Sequence, residues 1–312
     1  MTTPTARAPH LCVVGSVALD DVSTPAGEAR AVLGGSATYF SVAASLFTRV
    51  GLTGVVGADF PAEYRDLLAA RDVDLSGLEA SAGRTFRWAG RYDGAMDVAT
   101  TLRTELNVLE TFSPKMPASH RRAPFVFLAN ISPSVQLSVL SQLEPPPPGQ
   151  PRLVVADTMN LWIDIARDGL LEVLRRVDGL LVNDQEARAL AGAPNLIAAG
   201  RRLLEMGPRF VVVKKGEHGA FLFARDRRFA LPSYPLEDVR DPTGAGDAFA
   251  GGLMGALAAG GRLSTGDVAR AMVYGTVTAS FAVSTFSLDG LARVTRTDVE
   301  ARADELRRFV TA

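Results

Sequence analysis

The stretch from Asp241 to Gly252 constrains the fold of this 312-residue chain more than any other part of its sequence. It reads DPTGAGDAFAGG, in which two glycines flank Ala245, and a run rich in Ala, Gly and Leu follows at once. Glycines let backbone N–H groups approach an anion without a Cβ in the way, and the N-terminus of a helix favours negative charge. We therefore expect the Gly244–Gly246 turn to form an anion site at the start of a helix.

A carboxylate, Asp247, stands in the first turn of this predicted helix, inside the anion site. An acid so placed is unfavourable unless it has a chemical role. Taking a proton from a hydroxyl that attacks a phosphoryl group is such a role. The simpler alternative is that Asp247 caps the helix and the glycines form an ordinary turn. This stretch alone leaves both interpretations open, because short glycine motifs are common.

The DPTGAGDAFAGG stretch resembles the C-terminal signature of the ribokinase-like (PfkB) sugar and nucleoside kinases. The resemblance covers the chain from about Leu11 to Phe309. It implies an α/β fold, a ribokinase-like three-layer sandwich with a mainly parallel central sheet and a small β lid. It also implies transfer of the γ-phosphoryl group of ATP to a hydroxyl of a small sugar or sugar-like acceptor, with Asp247 as catalytic base and the Gly244–Gly246 turn as anion hole.

Two other functions stay open. One is a nucleoside kinase of the same family, and the other is a non-catalytic sensor that binds a sugar or nucleotide on the kinase fold. An intact Asp247 argues against the sensor. An oxidoreductase on a dinucleotide-binding fold would need a glycine-rich turn after the first strand, and the residues at 15–18, Gly-Ser-Val-Ala, do not provide one.

Composition and charge indicate an ordinary globular chain with one large core. The chain is 47% hydrophobic and 21% charged, so we expect one domain over residues 10–312, with lid segments at about 21–33 and 84–112 and a flexible tail at 1–9. A formal net charge of −1 provides no field to recruit nucleic acid or an anionic membrane. With no apolar leader or membrane-spanning run, and with a single, buried cysteine expected at Cys12, we predict a cytoplasmic protein.

Two polar segments interrupt the α/β alternation and predict the lid. Residues 22–32 suggest a short hairpin, and residues 85–92 alternate like a strand with one wet face, with 100–109 able to pair back. A hairpin that merely covers the core is the alternative. A homodimer that forms through the lid is a further expectation. Alternation does not say which face of the lid strand meets the acceptor: Phe86, Trp88 and Tyr92, or Arg87 and Arg91.

Asn183 and Glu186 stand where a predicted strand ends and a helix begins. Three positions apart, they face one side of the first helical turn, and a carboxylate beside a polyphosphate suits Mg²⁺ held through water. The alternative is a capping box with Asn183 as N-cap. The pattern resembles the family's Asn-x-x-Glu motif, which acts on Mg²⁺ and phosphates.

Lys214 ends another predicted strand and leads into a turn that contains Gly216 and Gly219. In the family this turn lies near the nucleotide ribose and phosphates. The resemblance therefore implies that Lys214, Gly216, Gly219 and Thr243 bind the nucleotide. It also implies a monovalent-cation site, for K⁺, with Asp241 and the Thr243 backbone as ligands.

Asp20 and the glycine pair that follows resemble the acceptor end of the family. A carboxylate can accept hydrogen bonds from two adjacent hydroxyls, which suits a polyol, and we expect Asp20 at or just past a strand end. The family usually has an Asn shortly after the glycines. Here the residues at 36–39 are Ser-Ala-Thr-Tyr, so either Thr38 substitutes or the acceptor is not a typical furanose. The predicted acceptor-binding residues are Asp20, Gly34, Gly35, Thr38, Asn130 and Asn160.

Overall fold

A computed structural model describes residues 8–94, 96 and 98–311. Most of the predicted tail at 1–9 lies outside the described residues. The strands are β1 (Leu11–Val14), β2 (Ala18–Thr24), β3 (Gly27–Gly34), β4 (Val50–Val56), β5 (Asp74–Ala80), β6 (Phe86–Tyr92), β7 (Ala99–Glu105), β8 (Phe125–Leu128), β9 (Leu153–Asp157), β10 (Gly179–Asn183), β11 (Phe210–Lys214), β12 (Ala220–Ala224) and β13 (Arg228–Leu231).

The helices surround the larger of two sheets. They are α1 (Ser36–Ser45), α2 (Ala62–Ala70), α3 (Ala118–Arg121), α4 (Pro133–Gln142), α5 (Asn160–Ile165), α6 (Arg167–Leu174), α7 (Asp184–Ala191), α8 (Leu196–Glu205), α9 (Ala245–Gly260), α10 (Thr265–Ala282) and α11 (Arg296–Val310). Within the described ranges, none of them is long and apolar enough to cross a membrane.

The main sheet has nine strands in the order β13-β12-β11-β10-β9-β8-β1-β4-β5. All neighbours from β5 to β11 pair in parallel, and β12 and β13 add antiparallel at one edge. The central strands are apolar without alternation because helices cover both faces of the sheet. This arrangement confirms the predicted three-layer sandwich, including the antiparallel pairing of 220–224 with 210–214.

Side chains of each central strand divide between two cores. Leu11 and Val13 of β1 pack with α1, α9 and α10, whereas Cys12 and Val14 pack with α4, α6, α7 and α8. Cys12 is fully buried, as predicted, and burial raises the pKa of its thiol to about 12.

Helix α9 lies unusually close to α1, and glycine makes this approach feasible. A Cβ on Gly251 would stand 2.4 Å from the carbonyl oxygen of Phe40, and a Cβ on Gly255 would stand 2.9 Å from the ring of Phe47. This close packing against α1 positions the N-terminus of α9 near the carboxyl ends of the strands.

The smaller sheet, in the order β3-β2-β6-β7, is the lid. As predicted, β6 and β7 pair antiparallel, although β7 begins and ends earlier than the 100–109 segment expected. The lid also begins earlier than expected. Asp20 lies inside β2, paired with Val32 and Trp88, and not at the end of β1. The prediction was wrong because Gly15 and Ser16 end β1, and a second strand, β2, then leaves the main sheet.

Candidate active site

The start of α9 forms the turn that the sequence singled out. Gly244 occupies the N-cap position with φ 74°, a left-handed conformation that favours glycine. A Cβ there would also stand 2.4 Å from the ring of Tyr39, which comes from α1. Both constraints exclude a side chain at Gly244. The Ala245 amide donates to the Pro242 carbonyl at 3.2 Å and closes the turn, and the Gly246 amide follows it at the N-terminus of α9.

Asp247 does not act as a helix cap. Helices α7, α10 and α11 each begin with a capping box, in which Asn183, Ser264 or Thr295 binds the acidic residue three positions later. Asp247 holds the same position in α9, but the N-cap residue is Gly244, and no side chain caps this helix. The capping alternative is therefore not what this helix uses.

The carboxyl of Asp247 is half-buried, in contrast to the exposed acid that a helix start suggests. Burial, and then the negative charge of Asp157, raise its pKa to about 7, while Lys214 acts in the opposite direction. A carboxyl with this pKa can both accept and release a proton near neutral pH, which is the property that a general base requires.

Lys214 reaches the glycine turn from the end of β11. Its ammonium lies 3.1 Å from Oδ2 of Asp157, and a Cβ on Gly246 would stand only 3.0 Å from the same nitrogen. Asp157, at the end of β9, was not among the predicted site residues. A charged residue that ends the buried run Leu-Val-Val-Ala is the signal that could have identified it.

Asn183 and Glu186 form a complete capping box, so the hydrogen bonds that the capping alternative predicts are present. Glu186 Oε2 accepts from the Asn183 amide at 2.7 Å, and Asn183 Oδ1 accepts from the Glu186 amide at 2.8 Å. Glu186 is nevertheless buried, and burial followed by the charge of Asp157 raises its pKa. It therefore lies in the same electrostatic environment as Asp247.

The backbone geometry of the turn after β11 favours glycine at two positions. The Lys215 amide donates to the Gly219 carbonyl at 2.8 Å, and a Cβ on Gly219, with φ 79°, would meet the Leu231 carbonyl at 2.0 Å. Gly216 has φ 53° and open space around it. His218 is exposed beside it. Of the two predicted nucleotide contacts, Gly216 is thus the more accessible.

Asp241 anchors the loop that leads into α9. It is 1% exposed, and its two oxygens accept the backbone amides of Thr243 at 2.9 Å and Ser287 at 3.1 Å. The Ser287 hydroxyl donates in turn to the Leu33 carbonyl at 2.6 Å. This chain of hydrogen bonds links the loop before α9 to the end of β3, next to Gly34.

Asp20 is a buried carboxylate with one oxygen that has no partner. Among the described residues, no group donates to its Oδ1. Burial, followed by the charges of Asp241 and Asp247, raises the pKa of Asp20 to about 8, and a hydrogen bond from the Gly35 amide opposes the shift. Asp20 is therefore close enough to Asp241 and Asp247 for their charges to affect its ionisation.

Packing within the protein requires the glycine pair beside Asp20. A Cβ on Gly34 would stand 1.9 Å from Oδ2 of Asp20, and a Cβ on Gly35, with φ 94°, would stand 2.5 Å from the Ser16 carbonyl. The glycines therefore make room for the Asp20 carboxylate and for a tight turn into α1, and their contact with an acceptor stays a prediction.

The other predicted acceptor residues differ in their placement. Thr38 is fully buried in α1 and its hydroxyl has no partner within the described chain. Asn130 accepts from Trp162 Nε1 at 3.0 Å and lies 3.2 Å from the Met159 sulfur. Asn160 is exposed at the start of α5, and no hydrogen bond in the described ranges ties it to Asp20.

The lid turns its aromatic face towards this site. The Thr243 hydroxyl donates to the Tyr92 hydroxyl at 3.4 Å, and Trp88, on the same face of β6, lies opposite Asp20 in the strand register. Arg87 points the other way and pairs with Asp59. The aromatic face of β6 is therefore the one that lies next to Thr243.

The stability of the Asp247→Asn variant should depend on pH in a characteristic way. Because the pKa of Asp247 in the folded protein is about 7, above its ordinary value of 3.8, the folded state binds this proton more tightly than the unfolded chain does. The ionised carboxylate therefore destabilises the fold above pH 7. We expect Asp247→Asn to melt at a higher temperature than the wild type at pH 8, with the gain declining between pH 7 and pH 4.

Asp298 provides the matched control, since it occupies the same helical position in α11. Hydrogen bonds from Thr295 lower its pKa, so Asp298→Asn should lose stability at neutral pH instead of gaining it. Thermal melts of both variants from pH 4 to 8 check the prediction. A melting temperature for Asp247→Asn that follows the wild type at every pH would show that the Asp247 carboxyl is not destabilised by its surroundings.

The chain is similar to known kinases along most of its length. A cytidine kinase from Thermococcus kodakarensis is 31% identical over 258 residues, which are 80% of this chain and 89% of the relative. A fructokinase-2 from Zea mays is 35% identical over 99 residues, or 31% of this chain and 29% of the relative.

Solved structures share the fold. A nucleoside kinase from Methanocaldococcus jannaschii superposes with a TM-score of 0.75 at 21% identity, over 96% of this chain and 99% of its own. A protein from E. coli described as a ribokinase II, in complex with ATP and Mg²⁺, superposes with a TM-score of 0.76 at 20% identity, over 95% and 99%. Residues 9–291 match the sequence profile of the pfkB family carbohydrate kinases. The chain belongs to this family and is a kinase.

Proposed function

We propose that the protein transfers the γ-phosphoryl group of ATP to a hydroxyl of a sugar moiety. The observation that carries this proposal is the position of Asp247, a carboxyl with a pKa of about 7 that opens α9 beside an uncapped, glycine-lined helix N-terminus. A general base and a set of phosphate-binding amides are the two components that phosphoryl transfer requires from a protein.

The reaction proceeds by in-line displacement. The acceptor oxygen forms a bond to the γ-phosphorus, and the bond from that phosphorus to the bridging oxygen breaks. ADP leaves with the electron pair, and the hydroxyl proton passes to Asp247. The Gly246 amide and the positive end of the α9 dipole stabilise the charge on the transferred group. Gly216 and Thr243 contact the nucleotide.

The charges around the site support Mg²⁺ as cofactor. Asp157, Glu186 and Asp247 influence one another, and the nearby cation is Lys214, so the cluster carries an excess of negative charge when all are ionised. Mg²⁺ prefers oxygen ligands and retains several waters. No group of three acidic, His or Cys side chains in the described chain is arranged to bind a metal. Glu186 would accordingly hold Mg²⁺ through water, and the ion would neutralise phosphate charge.

We propose K⁺ as an activator on the basis of Asp241. This carboxylate is buried and forms no ion pair with any described residue, and burial raises its pKa. A monovalent cation beside Asp241 and the Thr243 backbone would balance the charge and fix the loop before α9. Initial rates should be higher in potassium than in tetramethylammonium buffer. Equal rates in sodium, potassium and tetramethylammonium would refute the proposal.

The acceptor is proposed to bind at Asp20. Its unpartnered, buried Oδ1 lacks a hydrogen-bond donor, and such groups are costly unless a ligand supplies one. An acceptor hydroxyl is a suitable donor. A polyol or a ribose, with adjacent hydroxyls, could use both the carboxylate oxygens of Asp20 and the base at Asp247.

A nucleoside is the second candidate acceptor, and two observations favour it over a free sugar. The cytidine kinase relative aligns over most of both chains. The lid also presents Trp88 and Tyr92 towards the site, and aromatic rings stack well on planar bases.

A homodimer through the lid and a cytoplasmic location stay predictions of the sequence. The exposure of Leu102 on β7 supports the homodimer.

A phosphorylation assay tests the proposed function. The wild-type protein should convert ATP to ADP with Mg²⁺ only when an acceptor is present, and mass spectrometry should show one added phosphate. A panel of nucleosides, ribose, fructose and inositols distinguishes the candidates, and we expect nucleosides to be used most efficiently. If acceptors raise the melting temperature but none is phosphorylated, the protein is a sensor and not an enzyme.

Replacing Trp88 by Ala tests the lid. Loss of the indole should raise the KM for the acceptor by a much larger factor than the KM for ATP. It should also raise the ratio of ATP hydrolysis to acceptor phosphorylation, because water enters the site. Arg91→Ala is the matched control, since Arg91 lies on the same strand, points away and pairs with Asp93 on the surface. Wild-type acceptor KM and coupling in Trp88→Ala would make the lid a structural cover.

A further inference from the structure

Lys214 and Asp157 form a buried ion pair at the edge of the anion turn. Their side chains are 17% and 5% exposed. The ammonium of Lys214 lies between Oδ2 of Asp157 and the space above Gly246 that a Cβ would fill. A Cβ on Gly246 would crowd this nitrogen, so the glycine leaves the ammonium free to face whatever binds at the turn.

Asp157 is a rigid partner for this flexible side chain. Its Oδ1 accepts the Thr158 amide at 2.7 Å, and its backbone carbonyl accepts Gln136 Nε2 at 3.0 Å. Its position at the end of β9, in the interior of the sheet, fixes the backbone as well. Both carboxylate oxygens are thereby occupied, which makes Asp157 unsuited to act as a base.

The ammonium remains charged at neutral pH. Burial opposes the charge, but the neighbouring carboxylates of Asp157, Glu186 and Asp247 outweigh it and raise the pKa of Lys214. A fixed positive charge beside a set of helix N-terminal amides adds to their attraction for a phosphoryl group, most strongly where water is excluded.

We propose that Asp157 is a positioning residue, which aims the Lys214 ammonium at a phosphoryl group bound at the Gly244–Gly246 turn. Binding of the nucleotide by Lys214 is what the family resemblance implies, and the role of Asp157 goes beyond it. This inference rests on the proposed kinase function. The competing explanation is that the pair only stabilises the fold, as buried ion pairs elsewhere in proteins do.

Kinetics of single and double variants separate the two explanations. With saturating ATP, Mg²⁺ and acceptor, Lys214→Met should lower kcat by about 10²- to 10³-fold, the loss typical of one transition-state donor. Asp157→Asn, which keeps the shape but removes the charge, should lower kcat by about 10- to 100-fold through misplacement of the ammonium. Lys214→Arg should recover part of the activity that Lys214→Met loses.

The double variant is the decisive measurement. If Asp157 acts through Lys214, then Asp157→Asn in the Lys214→Met background should cause no further loss of kcat, because there is no ammonium left to position. If the pair is only structural, each single variant should lower the melting temperature with little effect on kcat measured well below it, and the double variant should regain stability.

Asp178 supplies the matched control. It precedes β10 at the opposite end of the sheet, and its carboxylate likewise binds a backbone amide, of Val154 at 2.9 Å, and a basic side chain, of Arg209 at 3.5 Å. Asp178→Asn should therefore alter stability but not kcat. Wild-type kcat in Lys214→Met, with an active wild-type enzyme, would overturn the proposed phosphoryl contact. A wild-type protein without any kinase activity would instead overturn the proposed function itself.

Discussion

The contact between the ring of Tyr39 and Gly244 fixes the most important feature of the molecule, the start of α9. The ring occupies the place of a Cβ at Gly244, so α9 begins at a defined distance from α1. Gly251 and Gly255 continue the close approach along the helix. This packing places the first turn of α9 beside Lys214 at the end of β11, whose ammonium pairs with Asp157 at the end of β9. Catalysis by fixed dipoles depends on this kind of rigidity.

Charge burial is the second constraint. Asp20, Asp247 and Glu186 all have raised pKa values because burial disfavours their charged forms and because they lie near other carboxylates. Such a cluster lowers the stability of the folded protein above pH 7. Clusters of this type are concentrated at functional sites, where bound cations and ligands offset the cost. In this protein Lys214 offsets part of it without any ligand.

Much of this architecture could be predicted from the sequence, since the central strands and the Asp241–Gly252 turn are local patterns. Placement was harder to predict where it depended on contacts distant in sequence. Nothing near Asp157 reveals that it meets Lys214, 57 positions away. Similarly, nothing near Gly34 in the sequence reveals that a side chain there would collide with the Asp20 carboxylate. The alternation in β6 predicted an aromatic face and an arginine face. Only the contact between Tyr92 and Thr243 shows which of them lies towards α9.

The pH dependence of kcat/KM for the acceptor, compared between wild type and Asp247→Asn, tests the central claim most directly, because this parameter reports ionisation of the free enzyme. If Asp247 is the base, wild-type kcat/KM should rise through an apparent pKa of about 7 and then level off. The Asp247→Asn variant should lose about 10²- to 10⁴-fold in kcat/KM and lack this rise, while its affinity for ATP persists. A variant that keeps the wild-type rate and pH profile would contradict the account.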